Sequence, residues 1–100
     1  MGTADQLRQA FNCFKKRHTF AVDQLVKWKA KCKNRREPKY DEPAIVCEVL
    51  TEPIVDEEKK SAGSAYFREP LDIVLGLMDP DDGSFVLYHF DSRRFEPYED

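Results

Sequence analysis

No apolar run in this 100-residue sequence is long enough to cross a bilayer. The longest uncharged apolar stretch, residues 73–78, falls far short of the ~20 residues a membrane helix needs, and the first residues lack the apolar segment of a secretory leader. No membrane role is expected. The four glycines (Gly2, Gly63, Gly76, Gly83) are scattered, so no glycine-rich loop exists to cradle a phosphate. The two histidines, His18 and His89, lie far apart, and Cys13, Cys32 and Cys47 form neither a CxxC pair nor an even set. That pattern argues against a zinc site and a disulfide framework, and leaves reduced thiols in a cytoplasmic protein with no cofactor. Acidic neighbours such as Glu57/Glu58 and Asp81/Asp82 point to opposite faces of a strand, or into solvent from a loop, so neither pair is an acid–base dyad. His89 with Asp91 comes closest to a catalytic pair. His89 is more simply a boundary residue or a satisfied core imidazole, and without an acid–base–nucleophile set the expectation is a protein that is not an enzyme.

The sequence does carry enough apolar residues, 41% with 12% aromatic, for the single core that a chain of this length builds. Charged residues make up 35% and the mean hydropathy is −0.67, which gives a highly soluble surface. The net charge of −3 hides a division. Residues 1–36 hold ten Lys/Arg against two Asp/Glu, net +8, and residues 37–100 hold six against seventeen, net −11. Within one domain the two fields partly neutralise each other, and what is left over is a basic face suited to an anionic partner.

Residues 3–17 have helical periodicity. Leu7, Ala10, Phe11 and Phe14 share one face, Thr3 and Gln6 have capping-box spacing, and Lys15, Lys16 and Arg17 lie where positive charge complements the helix dipole. The Phe stripe needs a covering surface. The domain's own sheet is the simplest, with a dimer mate or another protein as the alternative. From Phe20 the period becomes two, and residues 24–29 alternate so that Val26 and Trp28 share a face opposite Leu25. Residues 30–43, polar, basic and interrupted by Pro38 and Pro43, read as a long loop. Residues 44–50 are β-branched and apolar, a second strand, and residues 51–69 read as a mobile surface loop. Residues 71–78 and 85–90 flank Asp79-Pro80-Asp81-Asp82-Gly83-Ser84, the turn chemistry of a hairpin. Leu71, Ile73, Leu75 and Leu77 share a face, and Gly76 on the other marks a bulge or bend. Residues 92–94 turn the chain into a short last strand at Phe95.

This order of strand, long loop, strand, loop, hairpin, tight turn and short strand resembles an SH3-like small barrel over residues 20–96, of the kind carried by small bacterial and phage-type proteins. Asp23-Gln24-Leu25-Val26-Lys27-Trp28 is similar to the opening strand of bacterial SH3-like modules, with Val22 where a Gly usually stands. The aromatic-acidic loop of proline-binding SH3 domains is missing, as is the glycine pattern of ribosomal KOW elements, so polyproline recognition is not implied. The resemblance implies one α+β, mainly β domain over residues 1–100. Helix 3–17 precedes a five-stranded SH3-like barrel over 20–96, and residues 97–100 form an acidic tail.

Two clusters are candidate binding sites. The first is Lys27, Trp28, Lys29, Lys31, Lys33, Arg35 and Arg36 followed by Tyr40, in which cations neutralise phosphates and aromatics stack on unpaired bases. The same lysines also suit the solvated side of an edge strand with Trp28 packed inward, or an acidic protein surface. The second joins Arg68, near Phe67 and Pro70, to Arg93 and Arg94, near Phe95 and Tyr98, and Arg is a preferred interface residue. Its structural alternative is an Arg–carboxylate network from Arg93 or Arg94 to Asp72 or Asp91. The expected function is a non-catalytic binding, adaptor or inhibitor module acting on a protein partner, with nucleic-acid binding through residues 27–36 as the alternative.

Overall fold

A computed structural model of the chain describes residues 2–55 and 69–99. Helix α1 spans Thr3–Lys15. Its N-cap is Gly2, and no side chain caps it, so Thr3 is the first helical residue and the expected Thr3–Gln6 capping box is not made. Lys16 ends the helix in extended conformation, two residues short of the expected end. No residue of α1 is buried. Leu7 is 70% and Phe11 58% exposed, so the sheet of this domain does not cover the apolar stripe as expected. Among the described residues, α1 meets the rest of the protein at its C-terminal end, where the centre of the Phe14 ring lies 4.9 and 5.0 Å from the guanidinium carbons of Arg93 and Arg94.

The remainder is one five-stranded antiparallel sheet. Its strands are β1 (Leu25–Trp28), β2 (Ala44–Ile54), β3 (Leu71–Met78), β4 (Phe85–Phe90) and β5 (Phe95–Pro97), in the order β4-β3-β2-β1-β5. The sheet is open: β4 and β5 are its edges, and the barrel expected over residues 20–96 is not closed. A 3-10 turn, Ser92–Arg94, leads into β5 and is capped by the Asp91 carboxylate accepting from the Arg93 N–H. The first strand begins at Leu25 rather than Phe20, because Asp23 takes a positive φ of 79° and the Gln24 N–H bonds back to Ala21 in a turn. β2 runs on to Ile54, past Pro53, which falls where its ladder with β3 is interrupted between Val49 and Ile54. Of the surface loop read over residues 51–69, residues 51–54 belong to β2 and Glu69 is buried, while residues 56–68 lie outside the described residues.

One sheet face and the returning chain enclose the core: Phe20, Val26, Trp28, Ala44, Val46, Ile73, Leu75, Leu77, Phe90 and Phe95. Trp28 stacks on Phe95 with ring centres 4.2 Å apart and meets Phe90 edge-on at 5.7 Å, geometries that favour aromatic pairs beyond their buried area. Gly76 marks no bulge, since β3 and β4 pair without a break from Ile73↔Phe90 to Met78↔Phe85. The irregularity lies across the sheet at Cys47, between Val46 and Glu48. What Gly76 supplies is room: the Phe85 ring lies on it, and a Cβ there would run into the ring and approach the Cys47 sulfur at 3.1 Å.

Candidate functional site

The centre of the basic segment is inside the protein. Trp28 is 2% exposed and donates its indole N–H to the Pro38 carbonyl. Lys29 is 1% exposed, and its Nζ donates to the carbonyls of Cys13 (2.9 Å), Phe14 (3.0 Å) and Lys16. The last turn of a helix has carbonyls with no partner in the helix. Lys29 supplies their donors, with a cation at the negative end of the dipole. Neither Trp28 nor Lys29 is therefore available to a base or phosphate. Burial pushes the Lys29 ammonium below its ordinary range.

The arginines are engaged in the same way. Glu69, 8% exposed, accepts from Arg35 Nη2 (2.7 Å), Asn34 Nδ2 (2.7 Å) and Arg94 Nε (3.0 Å), while Arg94 Nη1 reaches the Cys32 carbonyl at 3.1 Å. Arg93 grips the buried Asp91 with Nε and Nη2, at 3.0 and 2.8 Å. This is one of the Arg–carboxylate pairings expected as the structural alternative. Asp72 instead receives the backbone N–H and hydroxyl of Ser92, both at 2.8 Å. Arg68 lies outside the described residues. Of the His89 and Asp91 pair, Asp91 is buried against Arg93 while His89 is exposed. Among the described residues, no three His, Cys, Asp or Glu side chains are grouped to hold a metal ion.

Of the first candidate cluster, Lys27, Lys31, Lys33, Arg36 and Tyr40 remain at least partly exposed. Lys33 Nζ lies 5.9 Å from the centre of the Tyr40 ring, and the Lys33 N–H donates to the Tyr40 hydroxyl at 3.2 Å. Lys27, Lys31 and Tyr40 line a shallow depression of about 450 Å³, but Asp41 and Glu96 share it and oppose the binding of a phosphate chain.

A second depression, about 280 Å³, runs along β4. Leu77, Val86, Tyr88 and Phe90 form its apolar lining, and Arg35, Arg36, Glu37, Asp79 and His89 supply the polar groups around it. Arg36 is exposed and makes no ion pair among the described residues. β4 itself holds Phe85 (59% exposed), Leu87 (55%) and Tyr88 (50%), so apolar side chains stand open on both of its faces. The clusters weighed from the sequence do not include this strand. The signal for it is Phe-Val-Leu-Tyr-His-Phe, apolar at successive positions where a covered edge strand alternates.

His18, stacked on Phe20 with ring centres 5.9 Å apart, has its pKa lowered by burial and then by the charges of Lys29 and Lys16, with Glu96 opposing. The unfolded chain therefore takes up a proton near pH 6.5 that the folded protein still refuses. Stability from this group is complete above that pH and declines as pH falls from 6.5 through the folded pKa. Thermal melts between pH 7.5 and 5 are expected to show the decline, and His18→Gln to flatten it; an unchanged slope in the variant contradicts the assignment.

Compared with known proteins, the chain matches no family model, no curated protein and no solved structure.

Proposed function

We propose that this chain is a non-catalytic protein-interaction module that binds by adding a partner strand to the β4 edge, with partner side chains entering the groove beside it. One observation carries the reading: a six-residue edge strand with no charged side chain and apolar groups exposed on both faces, next to Arg36, which makes no ion pair among the described residues. Strand addition draws affinity from main-chain hydrogen bonds and specificity from alternate side chains. Arg36 beside the groove favours a carboxylate on the incoming segment. The nucleic-acid alternative is weakened by the internal engagement of Trp28, Lys29, Arg35 and Arg94. The SH3-like reading of the fold draws support from the strand order and the 3-10 turn before β5, and three unpaired thiols suit a reducing, cytoplasmic setting.

Fluorescent eight-residue peptides that alternate apolar residues with Glu, or with Lys, test the reading by anisotropy. The Glu series is expected to bind, the Lys series about tenfold more weakly, and Arg36→Glu to reverse that order. Binding of single-stranded RNA or duplex DNA with steep loss on added salt, while neither peptide binds, would replace this reading with the nucleic-acid one.

A further inference from the structure

The two edges of the sheet are treated differently by the sequence. β5 is three residues long and carries Glu96 and Pro97, features that blunt an edge against pairing. β4 is twice as long and has no Lys, Pro, acidic residue or bulge. Among the described residues it pairs with β3 alone.

Its hydrogen-bonding pattern follows from the hairpin. The Asp79 N–H donates to the Ser84 carbonyl at 2.7 Å, which makes 79 and 84 a bonded pair. Antiparallel ladders alternate bonded and non-bonded pairs, so Val86, Tyr88 and Phe90 turn their backbone groups to β3. Phe85, Leu87 and His89 turn theirs outward.

We infer that the strand β4 accepts is β4 of a second copy, related by a two-fold axis perpendicular to the sheet at Leu87. This inference rests on the edge-binding reading above and names its partner. An antiparallel strand paired with itself keeps like faces together only when a residue lies on the axis, because side chains alternate with period two. With Leu87 there, it faces the partner's Leu87, and Phe85 faces the partner's His89. These are the outward-facing residues, so about six main-chain hydrogen bonds form without distortion. On one face Phe85 and Leu87 of both copies become a continuous apolar row. On the other, Val86 meets the partner's Tyr88.

Charge agrees with this arrangement. The turn before β4 carries Asp79, Asp81 and Asp82. In the antiparallel register it passes beyond the far end of the partner strand. The same pairing keeps the acidic turns of the two copies apart, at opposite ends of the joined strands. A strand without charge, whose acidic turn is carried away from the partner's, meets no like-charge repulsion when paired with itself reversed.

Sedimentation velocity over a concentration series reads the association. The wild-type chain is expected to run at twice its 11.7 kDa mass, and Leu87→Lys, which sets two like charges opposite each other at the axis, to dimerise at least about tenfold more weakly. Leu87 is largely exposed, so the variant keeps its core, and near-ultraviolet circular dichroism checks this. A second variant depends on geometry alone. In a background with Cys13 and Cys47 changed to Ser, Leu87→Cys is expected to form a covalent dimer on mild oxidation, and Met78→Cys, off the paired segment, is not. A wild-type monomer at all concentrations, a dimer unaffected by Leu87→Lys, a heterogeneous series of larger species, or equal crosslinking at both cysteines each overturns the inference. If the chain is monomeric yet binds the Glu-containing peptides, the second copy is wrong and the edge-binding reading stands. If neither occurs, both fall.

Discussion

Replacing Lys29 with methionine is expected to release helix α1 while leaving the five-stranded sheet folded. The helix has 13 residues, none of them buried, a length at which isolated helices are marginal in water. Among the described residues it is held at its C-terminal end, by the Phe14 ring against Arg93 and Arg94 and by Lys29 donating to the carbonyls of Cys13, Phe14 and Lys16. Methionine keeps the volume of the stem but supplies no donor, so the carbonyls of Cys13, Phe14 and Lys16 must find water, and the dipole loses its cation. Together these are worth about 2–4 kcal/mol of helix docking. Hydrogen exchange at the amides of residues 7–15 should rise to the rate of an unstructured peptide, and trypsin should cut first at Arg8, Lys15 or Arg17. The β2–β3 amides should keep their protection. Unchanged protection of α1 in the variant shows that the clamp is not what holds the helix.

The position of Lys29 also explains what the sequence could and could not reveal. Alternation over residues 24–29 sets Val26 and Trp28 on one face, because a strand's side-chain period does not depend on its neighbours, and the structure shows that face to be the core side. The hairpin was equally legible: Pro80, Asp82 and Gly83 fix its turn through local chemistry, with the Asp82 carboxylate accepting from the Ser84 N–H and Gly83 at a φ of 76°. Lys29 follows directly after β1 and looks like one of several solvated lysines. Only tertiary structure brings the end of α1 over it. The same holds for Glu69, whose three donors come from residues 34, 35 and 94. A charge count registers the basic run but not its internal use. The helix stripe was legible as a stripe, and its lack of cover was not, since periodicity specifies a face and leaves its partner open. Openness of the sheet was hidden too: strand order follows from local connections, while closure depends on how far β4 and β5 curl toward each other.

Glu69→Ala is expected to be the most destabilising single change outside the aromatic core. Its carboxylate, nearly fully buried, is the common acceptor for Arg35, Asn34 and Arg94. Truncation leaves two guanidinium groups, each 24% exposed, facing each other without the anion between them. Removing one partner of a buried pair typically costs about 3–5 kcal/mol, because the remaining charge is left uncompensated. Such a loss is a large part of the ~5–15 kcal/mol that holds a domain of this size together, and it lowers Tm by roughly 15 °C or more. The damage should spread along two routes. Arg94 also holds the Cys32 carbonyl and lies against Phe14, so the loop over residues 30–43 and the seat of α1 both loosen. A double-mutant cycle isolates the effect: in an Arg94→Met background, Glu69→Ala should cost less by 1 kcal/mol or more, on the order of the coupling seen between groups that share a network. Additive losses from the two changes indicate that Glu69 and Arg94 act independently and that the carboxylate is held by Arg35 and Asn34 alone.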